Sequence, residues 1–274
     1  MKKKEKSKLK FSTVEEDKKS KKKKIFIIFL IVALTVALAS AVAVFKESGF
    51  NKDKNVEETE KTNMEKTVNI LLGGNTSKDN LIFLDQVIVD TQNNNIKITP
   101  IMLQETVDGK ALEKYWNPEE DETVSGESLM EVAGKLIGVK FDRYIILKEG
   151  SMDKLLYKLG KFNVDIDEKI DYEGPDYSIH WPKGKRELTG EDFFNYLRYV
   201  GESGTKTSQY NQANILNDFV KQNIMKEQEE HSQELFESIV NLVDSNISIQ
   251  DYSRYASFID SLSKGKVDIS VLEK

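Results

Sequence analysis

Residue types that carry chemistry are sparse in this chain. Its two histidines, His180 and His231, lie far apart and neither falls in a metal-ligand spacing, so both read as surface or structural residues. There is no cysteine, hence no thiolate metal site and no disulfide. No Walker loop, GxGxxG or GxSxG pattern occurs. Gly73-Gly74 follows an apolar run, and two glycines after a strand either let a phosphate approach the backbone or simply make a turn. Taken alone, the residue types name no activity.

The elements that must position any site are clearer. Residues 1–24 hold twelve Lys against four acids, about +8, so a chain of net charge -6 carries about -14 elsewhere. The lysines abut Ile25 to Phe45, an apolar run of about 21 residues with no charge, Gly or Pro. At 1.5 Å per residue, such a run spans a hydrocarbon core of ~30 Å. A retained transmembrane helix over 25–45 is expected, with residues 1–24 a cytoplasmic tail by the positive-inside rule. The rival is a signal peptide cleaved near Ala39-Ser40-Ala41. A basic stretch against an apolar run favours anionic lipid headgroups over nucleic acid. Residues 46–65 are polar and aperiodic and read as an extracellular linker. The expected location is the cell membrane, single-pass, with residues 66–274 outside; an external domain free of cystines suits a Gram-positive bacterium.

From Lys66 on, strand and helix patterns alternate. Thr67 to Leu72 reads as a strand ending at Gly73-Gly74, and Asp85–Asp90 with Asn95–Ile101 as a hairpin about Thr91-Gln92-Asn93-Asn94. Ser125 caps a helix whose Leu129, Val132, Ala133, Leu136 and Ile137 share a face, stopped by Gly138. Arg143–Leu147 is a strand, Ser151–Leu159 a helix closed by Gly160, and Asn163–Ile166 a strand. Thr189 caps a helix with Phe193, Phe194, Tyr196 and Leu197, and a longer helix carries Ile215, Leu216, Phe219, Val220 and Ile224. Helices around Leu235–Val243 and Ile249–Ser263 and a strand at Val267–Leu272 complete the series. Strands first and helices packed over them predict an α/β (α+β) fold, a central mixed sheet sandwiched by helices.

The order of segments resembles the LytR-CpsA-Psr family of membrane-anchored envelope enzymes. The stretch Trp181–Val200 is similar to that family's G-x-x-x-L-x-G-x-x-A-L-x-Y-x-R-x-R segment, with Gly184, Leu188, Gly190, Tyr196 and Arg198 in place. Val68–Gly74, Leu84–Ile101, Leu136–Leu147 and Ser245–Leu262 resemble further family segments, so the likeness runs from about Lys66 to the C-terminus. It implies transfer of a glycopolymer from a polyprenyl pyrophosphate carrier onto peptidoglycan. The lipid would lie in an apolar groove, where Phe193 and Phe194 would line it, with arginines and a Mg²⁺ on the pyrophosphate. Phosphoryl transfer is mostly positioning and charge stabilisation, for which guanidinium forks are suited.

Carried over residue by residue, the implied site is eroded. Asp85 matches the metal-facing carboxylate of S-D-T, flanked by Leu84 and Gln86; its alternative is a plain turn carboxylate. The P-R-D-T motif becomes Leu103-Gln104-Glu105-Thr106, so Gln104 and Glu105 replace an arginine and an aspartate. Arg198 keeps the first arginine of R-x-R and Val200 replaces the second; a salt bridge from Arg198 to Glu202 at i+4 is the alternative to phosphate binding. In the G-R-x-x-R-Q run, Ser208 and Asn211 replace both arginines and Gln212 persists. Lys206 either compensates or is a solvated loop lysine.

One arginine on a transferring phosphoryl group is worth ~10³ to 10⁵ in rate. Losing several predicts a catalytically impaired member that binds a polyprenyl-linked lipid or an envelope protein without turnover. An active transferase with a rearranged site, and a scaffold or sensor, are the alternatives.

Overall fold

The computed structural model describes residues 66–78, 80–116, 124–225 and 232–272. The expected tail, transmembrane helix, linker and His231 lie outside the described residues. Among the described residues no helix is long and apolar enough to cross a membrane.

A six-stranded mixed sheet forms the centre. Its strands are β1 (Thr67–Asn75), β2 (Leu81–Asp90), β3 (Asn95–Pro100), β6 (Arg143–Lys148), β11 (Asp244–Ser245) and β12 (Asp268–Val271), in the order β11-β6-β1-β2-β3-β12. β1/β2, β2/β3 and β6/β11 pair antiparallel, while β1/β6 and β3/β12 are parallel. Short ribbons β4 (Thr106–Val107) with β5 (Lys110–Ala111), β7 (Phe162–Ile166) with β10 (Gly184–Leu188), and β8 (Ile170–Glu173) with β9 (Ser178–Trp181) are antiparallel.

Alternation along each strand divides the core into two layers. Val68, Ile70 and Leu72 of β1, with Phe83 and Val87 of β2, face one cluster; Leu71, Leu84 and Ile146 face the other. The second layer is covered by α1 (Gly126–Ile137) and a 3₁₀ turn at Leu112–Tyr115. The first takes α2 (Glu149–Leu159), α3 (Gly190–Gly201), α4 (Lys206–Asn223), α5 (Ser232–Val240), α6 (Ile249–Arg254) and α7 (Ala256–Ser263). Helices on both faces of a mixed sheet are the expected α+β sandwich.

Local signals place the helices. Ser125 and Thr189 each close a capping box, with Ser128 and Asp192 returning the bond, and Gly138 ends α1 at φ 72°. Gly73 and Gly74, expected to end a strand, instead lie inside β1, which runs on to Asn75. A Cβ on Gly74 would sit 2.2 Å from the Phe83 ring, so this glycine admits a neighbouring aromatic rather than a phosphate. The helix expected across Ile249–Ser263 breaks at Tyr255 into α6 and α7. β8, β9 and β10 were not expected from the sequence pattern.

Candidate functional site

The C-terminal end of α3 meets the β8–β9 turn at Arg198. Arg198 Nη2 lies 3.6 Å from Asp176 Oδ2, and its guanidinium stacks 4.2 Å over the Tyr177 ring. Asp176 also accepts from Lys78 Nζ at 2.8 Å, and these cations hold its carboxyl below the usual range. Arg198 therefore pairs with Asp176; Glu202 instead accepts from the Tyr172 hydroxyl. That corrects the i+4 pairing considered from sequence. The hairpin is thus tied to α3 at both Tyr172 and Asp176.

Two cavities flank Arg198. One, of about 270 Å³, is lined by Gln104, Glu113, Tyr172, Glu202 and Gln209 as well as Asp176 and Arg198. Gln209 Nε2 donates to Gln104 Oε1 at 3.4 Å, so two amides face each other. Gly204 (φ 60°) lets Gln104 come close, since a Cβ there would sit 2.8 Å from Gln104 Nε2. The other cavity, about 540 Å³, is lined by Lys78 and Arg198 against Glu149, Asp153, Asp176 and Glu191. Acids outnumber bases in both, three to one in the smaller and four to two in the larger. A polyanion entering the larger meets net negative charge, whereas in the smaller Lys78 on Asp176 and Lys114 on Glu113 offset two of the three acids.

The remaining expected site residues are dispersed. Glu105 and Lys206 line a separate cavity of about 200 Å³ with Met102, Ile137 and Tyr210. Ser208 is buried, its Oγ donating to Thr205 O at 2.8 Å in the cap of α4, and Asn211 is exposed. Gln212 donates to Ile82 O at 3.0 Å and Leu197 O at 2.9 Å, joining β2 to α3. Gly201 makes room for it, because a Cβ there would lie 2.1 Å from Gln212 Nε2. Gln212 is a brace under the site.

Phe193 and Phe194 are fully buried. Phe193 packs against Phe162 and Phe219 with centroids 5.6 and 5.3 Å apart, and Phe162 meets Phe219 edge-on at 5.5 Å. This aromatic trio fills the space between α3, α4 and the β7 ribbon.

Asp85 sits on β2 opposite Leu72 and Pro100, 2 % exposed, and lines none of these cavities. Burial pushes its carboxyl up to about 8, and its Oδ2 has no hydrogen-bond partner among the described residues. Mg²⁺ demands several hard oxygen ligands in near-octahedral array. A single buried carboxyl between an aliphatic side chain and a proline does not supply them, and among the described residues no cluster of three or more His, Asp or Glu is placed to do so. The donor set around Asp85 does not fit the metal.

Sequence reasoning passed over Asp176, Tyr172, Tyr177 and Gln209. The signal for the first three was the alternation on either side of Gly174-Pro175, a hairpin pattern. Gln209 carried none, being one polar residue in a polar helix.

The sheet order and helix cover match solved structures at low sequence identity, which shows the fold alone. A protein from Eubacterium siraeum superposes with TM-score 0.58 at 18% identity, covering 82% of this chain and 90% of that one. TagV from B. subtilis gives 0.56 at 18%, covering 76% and 85%. A Streptococcus agalactiae protein gives 0.53 at 17%, covering 76% and 77%. No curated protein matches. The model of the LytR_cpsA_psr family matches residues 35–274. That match spans nearly the whole chain, and the chain belongs to the LytR-CpsA-Psr family.

Proposed function

We propose that this is a membrane-anchored cell-envelope member of the family that does not transfer glycopolymer, and whose outer domain serves by binding. The observation that carries this is the state of Arg198: it is paired to Asp176, stacked on Tyr177 and surrounded by an excess of carboxylates. A pyrophosphate would have to displace Asp176 and enter a net negative cleft with one guanidinium to receive it. Where the resemblance implies an arginine beside it, Gln104 offers a neutral amide already turned to Gln209. Neutral donors do not compensate developing phosphoryl charge as cations do.

The family resemblance suggests a polyprenyl-linked lipid as ligand, and peptidoglycan or an envelope protein as partner. Aromatic packing around Phe193 favours the partner or glycan over a long isoprenoid in that place. Membrane anchorage rests on the apolar run at 25–45 and the lysines before it.

The test is a turnover assay on the full chain in detergent, with a polyprenyl pyrophosphate-linked glycan, peptidoglycan and Mg²⁺. Release of polyprenyl monophosphate and polymer transfer at background are expected. Turnover lost in Arg198→Ala would overturn the proposal. Native mass spectrometry of the detergent-extracted protein is expected to show no co-purifying long-chain isoprenoid.

A further inference from the structure

Both ring nitrogens of His180 face a carboxylate. On the outer face of the β8–β9 hairpin, Nδ1 lies 2.7 Å from Oδ1 of Asp171, its cross-strand partner, and Nε2 lies 2.9 Å from Glu173 Oε1. A neutral imidazole donates from one nitrogen only, so the arrangement fits the imidazolium. We propose that His180 is a pH-sensitive clasp: its proton ties β9 to two carboxylates of β8 and so sets how often the hairpin opens away from Arg198. The clasp is independent of whether the domain transfers polymer.

The hairpin is an element on which one such contact has leverage. β8 and β9 form a two-stranded ribbon of four residue pairs, separate from the central sheet. A ribbon of that size is marginal by itself. Ile170, Ile179 and Trp181 are buried, whereas Asp171, Glu173 and His180 are exposed. The same hairpin supplies the contacts that hold the cleft. Tyr172 donates to Glu202, Asp176 takes Arg198 and Lys78, and the Tyr177 ring stacks against the Arg198 guanidinium. Opening the ribbon therefore withdraws Asp176 from Arg198.

The charged groups facing the ring among the described residues are Asp171 and Glu173, with Lys169 Nζ on the other oxygen of Asp171 at 2.7 Å. The hydrogen bond to Asp171 first, and that to Glu173 after it, hold the ring above the usual imidazole range. A group raised in this way stabilises fully below its ordinary value of 6.5 and loses that contribution as pH climbs through the raised one. Opening is therefore rarest in mild acid and grows toward alkaline pH. Each unit of elevation corresponds to about tenfold in the opening equilibrium.

The test uses the full chain in detergent. Histidine-selective NMR follows the ring, with His231→Gln leaving a single signal. A midpoint above 6.5 is expected, returning to about 6.5 in the Asp171→Asn, Glu173→Gln double variant. Labelling of the Arg198 guanidinium by phenylglyoxal, read by peptide mass spectrometry, follows its release from the hairpin. The ratio of labelling rates, wild type over His180→Gln, cancels the reagent's own pH dependence and the titration of Asp85, which both chains share. That ratio is expected to rise through the NMR midpoint, by about tenfold for each unit of elevation. Should His180→Gln fail to fold, the double variant, which keeps the histidine, is the reference. A midpoint at or below 6.5 overturns the clasp. So does a raised midpoint with a ratio that stays flat, which would leave His180 in a surface ion pair without hold on the cleft.

Discussion

Asp176 holds Arg198 from across the cleft, its Oδ2 3.6 Å from the guanidinium, while its Oδ1 takes Lys78 at 2.8 Å. One carboxylate on a hairpin turn therefore engages both cations of the larger cavity. The cations that a phosphate would seek are already neutralised by the protein itself.

Asp176→Asn is expected to release both cations. Asp176 is partly exposed, so the pair is screened and the effect is modest. A gain of about two- to fivefold in affinity for inorganic pyrophosphate is expected by titration at low salt. The gain should shrink in the Asp176→Asn, Arg198→Ala double variant and vanish when Lys78 is replaced by Ala as well. No gain would mean that Arg198 cannot turn toward a ligand even when freed.

Asp85 sets a pH dependence. Its carboxyl is raised from 3.8 to about 8 in the folded protein by burial. Between those values the unfolded chain has lost the proton and the folded one keeps it, so stability falls as pH rises, by up to about 1.4 kcal/mol per unit. The contribution is fully present below pH 3.8 and is lost as pH climbs through about 8. Asp85→Asn is expected to flatten this slope in chemical denaturation between pH 5 and about 7.5. An unchanged slope would show that Asp85 is ionised in the fold and open to a cation after all.

Gly190 is expected to be intolerant of a side chain. It begins α3, donates its N–H to Asp153 Oδ1 at 2.6 Å, and a Cβ there would lie 2.4 Å from the Asp153 backbone nitrogen. Backbone cannot rotate aside as a side-chain tip does. Gly190→Ala should destabilise by about 1–3 kcal/mol or more, read as a lower denaturation midpoint. Gly150→Ala, which meets nothing within 4 Å, is the control.

Much of the fold was legible because its signals are local. Ser125, Thr189 and Gly138 announce helix ends through caps that need only neighbouring residues. Alternation in β2 and β3 and the polar turn between them gave the hairpin. Gly73-Gly74 misled because the reason for glycine there is a ring from the next strand, a contact invisible to spacing. The site was legible only in part for the same reason. Arg198 was found by its motif, but its partner Asp176 is 22 residues upstream on a hairpin whose position depends on Tyr172 reaching Glu202. Gln212 stood in the expected place in the motif, and its amide nitrogen holds the backbone carbonyls of Ile82 and Leu197.

Phe193 separates a lipid slot from a packed core. Its ring meets Phe162, Phe194 and Phe219 at 5.6, 6.1 and 5.3 Å and is shut off from solvent. In a packed core, truncation removes both buried area and edge-to-face contacts and leaves a cavity that the three surrounding rings cannot close. Phe193→Ala should then cost about 3–5 kcal/mol in urea denaturation. Were this the wall of an empty lipid channel, the same truncation would widen a space already present and cost well under half as much. Titration with a short-chain polyprenyl phosphate supplies the second readout: wild type is expected not to be stabilised by it. Thermal stabilisation of wild type that Phe193→Ala abolishes would place the lipid in this layer and reverse the assignment.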